Sequence, residues 1–346
     1  MAIKNNFTRT SGLLYYLGLA FLITMAGCKE SVQKIDDSTV ITFYPSEVVQ
    51  AIVPIDPGKA LSDNLYSYGD ITGWTLQYKS REKSKINGAF LILDVDRSIT
   101  DSVMGFVRTV VEQAGAKPSG KSLESVTDRA SLQSLLETYE ALLDENEHHC
   151  EVNFSVFPIF LDDDFVTYTL YGEIYFAGAA NADQIQKIVS FNLKTGNALG
   201  IDDIVKGESV EELRGLVAAH MASRYFAQPN EPQTMGEYIA SVNEWIGDDG
   251  TKEAITLENF PINPPALSRG GLIFYYEKYQ LTPGSAGCPT VLLSYSEVAP
   301  LLRKPFDRFK DDDTLPKLHD NQFDVIMADH EAEHEHEHDG EEYDID

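Results

Sequence analysis

Cysteine is scarce in this sequence of 346 residues, which has three: Cys28, Cys150 and Cys288. Three cysteines are too few for a fold held together by a disulfide framework, and none has the C-x-x-C spacing of zinc or thiol-redox sites. The chain must therefore be stabilised by a packed core. Its 43% content of hydrophobic residues is ordinary for a globular protein with such a core.

Basic residues are also few, since 27 Lys and Arg stand against 55 Asp and Glu and give a formal net charge of −28. Such a chain repels phosphate backbones, and it has no basic stripe with interleaved aromatic residues, so we exclude nucleic acid as a partner. Half of the negative charge lies in residues 311–346, where fifteen acids accompany a single lysine. This acidity favours cationic partners.

The motifs of common catalytic sites are absent. The sequence contains no G-x-S-x-G elbow, H-E-x-x-H helix, phosphate-binding P-loop or G-x-G-x-x-G fingerprint. His220 lies on the apolar stripe of a predicted helix, where a lone histidine is more often packed than a ligand. We therefore predict that the protein is not an enzyme, has no catalytic residues and holds no cofactor in its folded part.

Long apolar runs are limited to one, from Leu13 to Thr24, and it is shorter than the roughly 20 residues of a membrane-spanning helix. The run follows a basic segment without acids, which is the layout of a signal peptide. Two small residues then precede Cys28, a pattern that resembles the lipobox of bacterial lipoproteins. We predict a signal peptide at residues 1–27 and acylation of Cys28, for example by palmitate, which anchors the chain without a protein span.

Residues 28–40 comprise the lipidated cysteine and a polar segment, which we interpret as a flexible tether. The predicted location is the cell envelope, with the protein anchored in the outer membrane and facing the periplasm or the cell surface. An ordinary secretory signal with a chance cysteine is the alternative.

Hydrophobic periodicity predicts an α+β fold. Apolar residues recur at helical spacing from Val103 to Val111 and from Leu132 to Leu143, which indicates two amphipathic helices. From Glu151 the period changes to two, and Asp162–Asp164 separate two alternating runs, which is typical of a long antiparallel hairpin. We place an N-terminal α+β module at residues 41–188.

The second half repeats both patterns. Ser209 with Glu212 and Thr234 with Glu237 have capping-box spacing, so each pair predicts the start of a helix. Residues 272–279 and 291–294 are rich in β-forming residues. We therefore expect an α+β domain at 189–310, and for the whole chain an antiparallel sheet of long hairpin strands packed by amphipathic helices.

Three segments of this half carry a family resemblance: VSFNLKTGNALGIDDIV at 189–205, FPINPPALSRGGLIFYYEKYQLTPGSAG at 260–287 and VLLSYSEVAPLL at 291–302. In order and spacing they resemble the C-terminal domain of unknown function in lysozyme-sensing anti-sigma factors of the RsiV type, which is also an accessory module of some peptidoglycan deacetylases. The G-G-A-H motif common in that family is replaced here by residues 177–181, which contain no histidine. The resemblance implies the fold, and a ligand such as lysozyme or cell-wall glycan.

These observations together predict a non-catalytic, lipid-anchored envelope protein that binds an extracellular or cell-wall-associated ligand. That ligand would be a cationic protein such as lysozyme, or peptidoglycan. Two other functions stay open at this point: an envelope hydrolase that acts on cell-wall glycan, and a periplasmic metal buffer.

The metal-buffer alternative depends on the acidic, His-rich tail at residues 311–346, which we predict to be disordered because it cannot bury a core. Within it, histidines alternate with carboxylates, and such sets bind zinc, copper or nickel weakly. A solubilising tail is the equal alternative. The candidate ligands are His330, His334, His336 and His338.

A disulfide between Cys150 and Cys288 is predicted because these two remain once Cys28 is lipidated and because an exported protein meets oxidising conditions. Each precedes a predicted strand, so one sheet could bring the two together. Two buried thiols are the alternative, and a soft-metal cluster of His148, His149 and Cys150 would need a free thiol.

Two other groups have a structural and a functional interpretation. Asp162–Asp164 fit a solvated hairpin turn better than a calcium site, because EF-hand spacing is absent. Tyr275 and Tyr279 would share one face of a strand, where packing explains them better than a glycan groove.

Overall fold

The computed structural model describes residues 35–41, 65–68, 71–80, 84–116, 125–145, 149–228, 231–247, 253–283 and 287–310. All of them fall within one compact unit that begins at Ile35. The predicted signal peptide, the lipidation site Cys28 and the His-rich tail lie outside the described residues.

A six-stranded sheet holds the first half of the chain in the order β2-β3-β4-β5-β6-β7. Its strands pair antiparallel except for β4 and β5, which are parallel. The long hairpin and the α+β class are thus confirmed, while the sheet is mixed. After the short β1 at Val40–Ile41, the strands are β2 Leu65–Tyr68, β3 Ile71–Lys79, β4 Lys85–Leu93, β5 Cys150–Leu161, β6 Phe165–Phe176 and β7 Asp183–Asn192.

Two helices connect β4 to β5 and cover one face of this sheet: α1 at Arg97–Gln113 and α2 at Arg129–Asp144. The apolar residues that predicted these helices are buried against β3 to β6 in one hydrophobic core, which we call the first core. Helix α1 approaches β6 so closely that a Cβ at Gly172 would lie 2.6 Å from Val110 Cγ2. Only glycine fits at that crossing.

The second half builds a smaller sheet in the order β11-β10-β9 and a two-stranded pair of β1 with β8. Its apolar residues form a second core. The elements are α3 Ile201–Ile204, α4 Val210–Tyr225, β8 Gln233–Thr234, α5 Met235–Ile246, β9 Ala266–Leu267, β10 Gly271–Tyr275, β11 Thr290–Ser294 and α6 Tyr295–Val298.

The predicted boundary between residues 188 and 189 falls inside β7, so it does not separate two domains. Phe191, beyond the boundary, packs in the first core. Phe160 and Phe165, before it, pack in the second core. The β5–β6 hairpin therefore belongs to both halves of the fold.

One of the two predicted capping boxes forms. Thr234 has an extended backbone, and its hydroxyl accepts a hydrogen bond from the Glu237 amide at the start of α5. The helix predicted to begin at Ser209 is confirmed, because α4 starts at Val210, but the predicted capping bond is wrong: Ser209 has helical dihedrals at the end of a 3-10 turn and its side chain makes no capping bond. A capping side chain reaches the helix amides from an extended residue, and Ser209 is not extended.

Candidate functional site

The face of the six-stranded sheet opposite α1 and α2 divides into a covered half, whose side chains are buried, and a polar half. On the covered half, Leu91 and Phe157 form a small buried cluster, and near the hairpin tip β9 and β10 cover the sheet. Ile159 and Ile188 pack against Ala266 and Ile273 there. The buried Ser190 hydroxyl lies 2.7 Å from Thr167 Oγ1 and accepts a hydrogen bond of 2.7 Å from the Leu267 amide.

The other half of this face carries polar side chains that reach solvent, and we call it the polar face. Because side chains alternate along a strand, its members are set by the pairing register of β3 to β7. They are half-buried or exposed. The polar face consists of Gln77, Lys79, Lys85, Asn87, Glu151, Asn153, Ser155, Tyr171, Glu173, Tyr175, Gln184 and Gln186.

Hydrogen bonds across the strands fix the middle of the polar face. Asn87 Nδ2 donates to Glu151 Oε1 at 3.0 Å and to Asn153 Oδ1 at 3.2 Å. The side-chain oxygen Oδ1 of Asn87 accepts a hydrogen bond from the Ser80 backbone amide at 3.4 Å. Since each group restrains the next, these side chains stand in defined positions while they remain partly open to water.

A second set of bonds lies towards β7. The hydroxyl of Tyr171 donates to Glu173 Oε1 at 3.3 Å, and Gln184 Nε2 donates to the same oxygen at 3.4 Å. Burial, followed by the charge of Glu173, raises the pKa of Tyr171 above its usual range, so its hydroxyl stays protonated as a donor. Tyr175, two residues beyond Glu173 on the same face, is 44% exposed.

Tyr275 and Cys288 form the border between the covered half and the polar face. Burial raises the pKa of Tyr275, and a hydrogen bond with Cys288 adds to the effect. Cys288 contributes to the raised pKa of Tyr171, and Tyr171 contributes to that of Tyr275. The C-terminal part of the chain thus reaches one edge of the polar face.

Two carboxylates of the polar face are close neighbours. Asn153 stands opposite Glu173, and Glu151 stands opposite Tyr175. Glu151 and Glu173 are therefore diagonal partners, and the Cα atoms of such partners lie about 7–8 Å apart. The polar face can therefore bind a polar ligand, and it carries two carboxylates on neighbouring strands.

The predicted disulfide is contradicted, because Cys150 and Cys288 are both free. Cys150 lies in the first core, on the helix-covered face, with its thiol 3.9 Å from the Ala114 carbonyl oxygen. Cys288 lies on the opposite face with Tyr171 and Tyr275. The sheet lies between the two sulfur atoms, so the two cysteines cannot approach each other to form a disulfide.

The sequence also left open a metal cluster at Cys150. Burial raises the pKa of this thiol, which disfavours the thiolate that a metal needs. His149 turns to Ser84, with Nδ1 3.5 Å from its hydroxyl, and His148 lies outside the described residues. Across the described ranges, no three His, Cys, Asp or Glu side chains are placed to share a metal ion. The four tail histidines lie outside those ranges.

The hairpin tip is a turn with ion pairs at Asp162 and Asp164, while Asp163 is exposed. Asp162 accepts hydrogen bonds from the amides of Asp164 and Phe165 and from Arg308. Asp164 accepts from Lys194 at 2.6 Å and from Arg308 at 2.8 Å. These bonds, that of Lys194 first, lower the pKa of Asp164. Two cations of the chain itself therefore pair with two of the three carboxylates of the tip.

The remaining predicted residues have mixed outcomes. His220 is a packing and hydrogen-bonding residue, with Nε2 2.9 Å from Glu297 Oε1. Tyr275 and Tyr279 do not share a face, because β10 ends at Tyr275 and Tyr279 lies in a turn with φ 68° and 62% exposure.

In the part of the chain that the structure describes, no helix is long and apolar enough to cross a bilayer.

The polar face itself escaped the sequence analysis. Its signal was present, since Glu151, Asn153 and Ser155 alternate with the buried residues of β5. Alternation marks those residues as one face, but it does not tell whether that face is covered by another element. Near the hairpin tip this face of the sheet is covered by β9 and β10, which lie about a hundred residues further along the chain.

Comparisons with known proteins bear on the C-terminal half. Residues 202–296 match DUF3298, a family described as a protein of unknown function. No functionally curated protein matches the chain. Two solved structures are similar to it. One is a DUF3298 family member from Bacteroides fragilis NCTC 9343, with 16% identity, coverage of 70% of this chain and 97% of that chain, and a TM-score of 0.44. The other is a DUF3298 family protein from Pseudomonas aeruginosa PAO1, with 13% identity, coverage of 69% of this chain and 97% of that chain, and a TM-score of 0.42.

The family match overlaps the three segments that carried the resemblance in the sequence. The predicted domain of unknown function is therefore confirmed. The chain contains a DUF3298 domain at residues 202–296.

Proposed function

We propose that this protein is a non-catalytic cell-envelope protein that binds an extracellular or cell-wall-associated ligand on its polar face. The observation that supports the proposal is the interlocked set of amide, carboxylate and tyrosine side chains there. The other described parts of this sheet are packed, by α1 and α2 on one face and, on the covered half, against β9 and β10 and in the small cluster of Leu91 and Phe157. Among the described residues, the polar face is thus the part of the sheet that offers fixed polar groups to a partner.

Pre-organisation distinguishes this surface from a merely solvated one. A solvated sheet face needs only polar side chains that point into water. Here Asn87 and Glu173 each engage two other side chains of the face, so these groups have lost part of their rotamer freedom before a ligand arrives. A ligand that meets such groups avoids part of the entropy cost of ordering them.

The proposed location rests on the start of the sequence, which is outside the described residues. The apolar run followed by Cys28 supports lipid anchoring, in the outer membrane and facing the periplasm or the surface. Cys28→Ser should release the protein from the membrane fraction or stall the precursor. Normal membrane association of this variant would contradict the proposal, and protease treatment of whole cells distinguishes surface from periplasm.

The binding proposal is tested by pull-down from an envelope extract. Wild-type protein should retain an envelope component, and the double variant Asn153→Ala, Tyr175→Ala should lose it. Gln133→Ala is the matched control, since it removes an exposed amide from α2, on the opposite side of the sheet. Equal retention by wild type and the double variant would show that the polar face is not the binding site.

A hydrolase that acts on cell-wall glycan is the second candidate, and the diagonal pair Glu151 and Glu173 favours it. In that case the protein should release soluble fragments from purified peptidoglycan. Glu151→Gln and Glu173→Gln should each abolish the release while binding persists. Absence of fragments from the wild-type protein would leave the non-catalytic function.

The metal-buffer alternative rests on the tail histidines. It predicts that deletion of residues 329–346 removes metal binding and leaves retention of the envelope component unchanged.

A further inference from the structure

We propose that the ligand of the polar face is a neutral, hydroxyl-rich saccharide chain rather than a cationic protein. This inference rests on the proposed function, because it names the ligand class for the same surface. It is carried by the charge balance of the face, by its amide-rich hydrogen-bonding groups and by its two tyrosines.

Charge balance is the first argument. The whole chain has a net charge of −28, yet half of it lies in residues 311–346. On the polar face itself, Lys79 and Lys85 balance Glu151 and Glu173 in number. Lys85 stands directly beside Glu151 in the register of β4 and β5. A surface with equal numbers of both signs gives little attraction to a strongly cationic or anionic partner, whereas a neutral polar ligand meets no opposing field.

Hydrogen-bonding capacity is the second argument. Five amide side chains lie on the polar face, and an amide has two donors and a carbonyl acceptor. The groups of Asn87 are already engaged with Glu151, Asn153 and Ser80, so the other four amides supply the capacity for a ligand. A sugar hydroxyl is also both donor and acceptor, so amides match it without a net charge. Glu151 and Glu173 add further acceptors, and Tyr171 is held protonated. The amides are Gln77, Asn87, Asn153, Gln184 and Gln186.

The tyrosines give the surface its length. Tyr171 and Tyr175 lie four residues apart on one face of β6, which places them about 13 Å apart along the strand. A ligand that contacts both must be an extended chain of several sugar rings. An exposed tyrosine supplies an apolar ring and a polar tip at small entropy cost, which suits the mixed surface of a sugar.

The test is a binding measurement on the purified full-length protein with a panel of hexasaccharides. The neutral probes are the hexamers of N-acetylglucosamine, glucose and mannose. The glucosamine hexamer is the cationic counterpart of the first, and oligogalacturonate is the anionic probe. We expect binding to at least one neutral probe, and weaker binding to both charged probes.

Variants then locate the site. Tyr175→Ala should weaken binding of that neutral probe roughly tenfold. Asn153→Ala should weaken it too, and Gln133→Ala should leave it unchanged. The dissociation constant should change less than about twofold between about 0.05 and 0.5 M salt, because no net charge is neutralised.

The outcomes separate this inference from the proposed function. Absence of binding to every neutral probe overturns the inference, and so does neutral binding that Tyr175→Ala and Asn153→Ala leave intact. Salt-sensitive binding of lysozyme or the glucosamine hexamer, lost in these variants, would overturn the saccharide proposal and keep the polar face as a binding site. If the variants also retain the envelope component as wild type does, the proposed function falls as well.

Discussion

Removal of the Ser190 hydroxyl tests how the two halves of the fold are joined. Ser190 lies on β7 with 1% exposure, and its oxygen accepts the amide hydrogen of the fully buried Leu267 on β9. In Ser190→Ala that amide loses its acceptor in a site that water does not reach. An unsatisfied buried donor costs roughly 1–3 kcal/mol, so we expect the free energy of unfolding to fall by about that amount.

Two further variants calibrate this loss. Thr167→Val removes the other partner of Ser190 and leaves the bond from Leu267 intact, so we expect a smaller loss of about 1 kcal/mol. Ser155→Ala makes the same chemical change on the half-exposed part of the same face and should stay within about 0.5 kcal/mol of wild type.

The assay is urea unfolding followed by tryptophan fluorescence. The chain has two tryptophans, and each reports one core: Trp74 packs in the first and Trp245 against the second. Measured in Trp74→Phe and Trp245→Phe backgrounds, Ser190→Ala should shift the transition of both reporters, because β7 and β9 connect the cores. A Ser190→Ala curve that coincides with that of Ser155→Ala would refute this reasoning, and a shift of one reporter alone would show that the cores unfold separately.

Three other predictions concern the caps, the thiols and the tail. Thr234→Ala should cost about 1 kcal/mol through loss of the cap of α5, whereas Ser209→Ala should cost a few tenths at most, since its side chain caps nothing; urea unfolding compares them. Alkylation of the unfolded, unreduced protein should label both Cys150 and Cys288, and mass spectrometry would detect a linked peptide if this is wrong. Residues 311–346 should bind zinc, copper or nickel at about pH 7.5 and lose the metal at about pH 5. At the lower pH, imidazoles with a pKa of about 6.5 are protonated and cannot bind a metal. Calorimetry at both pH values would show equal binding if the carboxylates are the ligands instead.

Local patterns in the sequence determined the elements of this fold. The helical spacing from Val103 to Val111 and from Leu132 to Leu143 predicted α1 and α2, and the period of two after Glu151 predicted the β5–β6 hairpin. These predictions succeed because the apolar stripe of a helix or strand is written within one short segment. The three segments of the C-terminal half likewise sufficed to predict the domain.

Tertiary structure decided which faces are covered and which residues meet. The alternation of side chains in the sequence did not assign Cys150 or Cys288 to a face of the sheet, and the tertiary structure places them on opposite sides of it. The same register brings Glu151 and Glu173 together, and β9 covers Ser190 while it leaves Asn153 open. The physical reason is that a strand's own pattern fixes only which of its side chains point the same way. Their partners come from strands and helices far along the chain, and only packing determines which face remains available to a ligand.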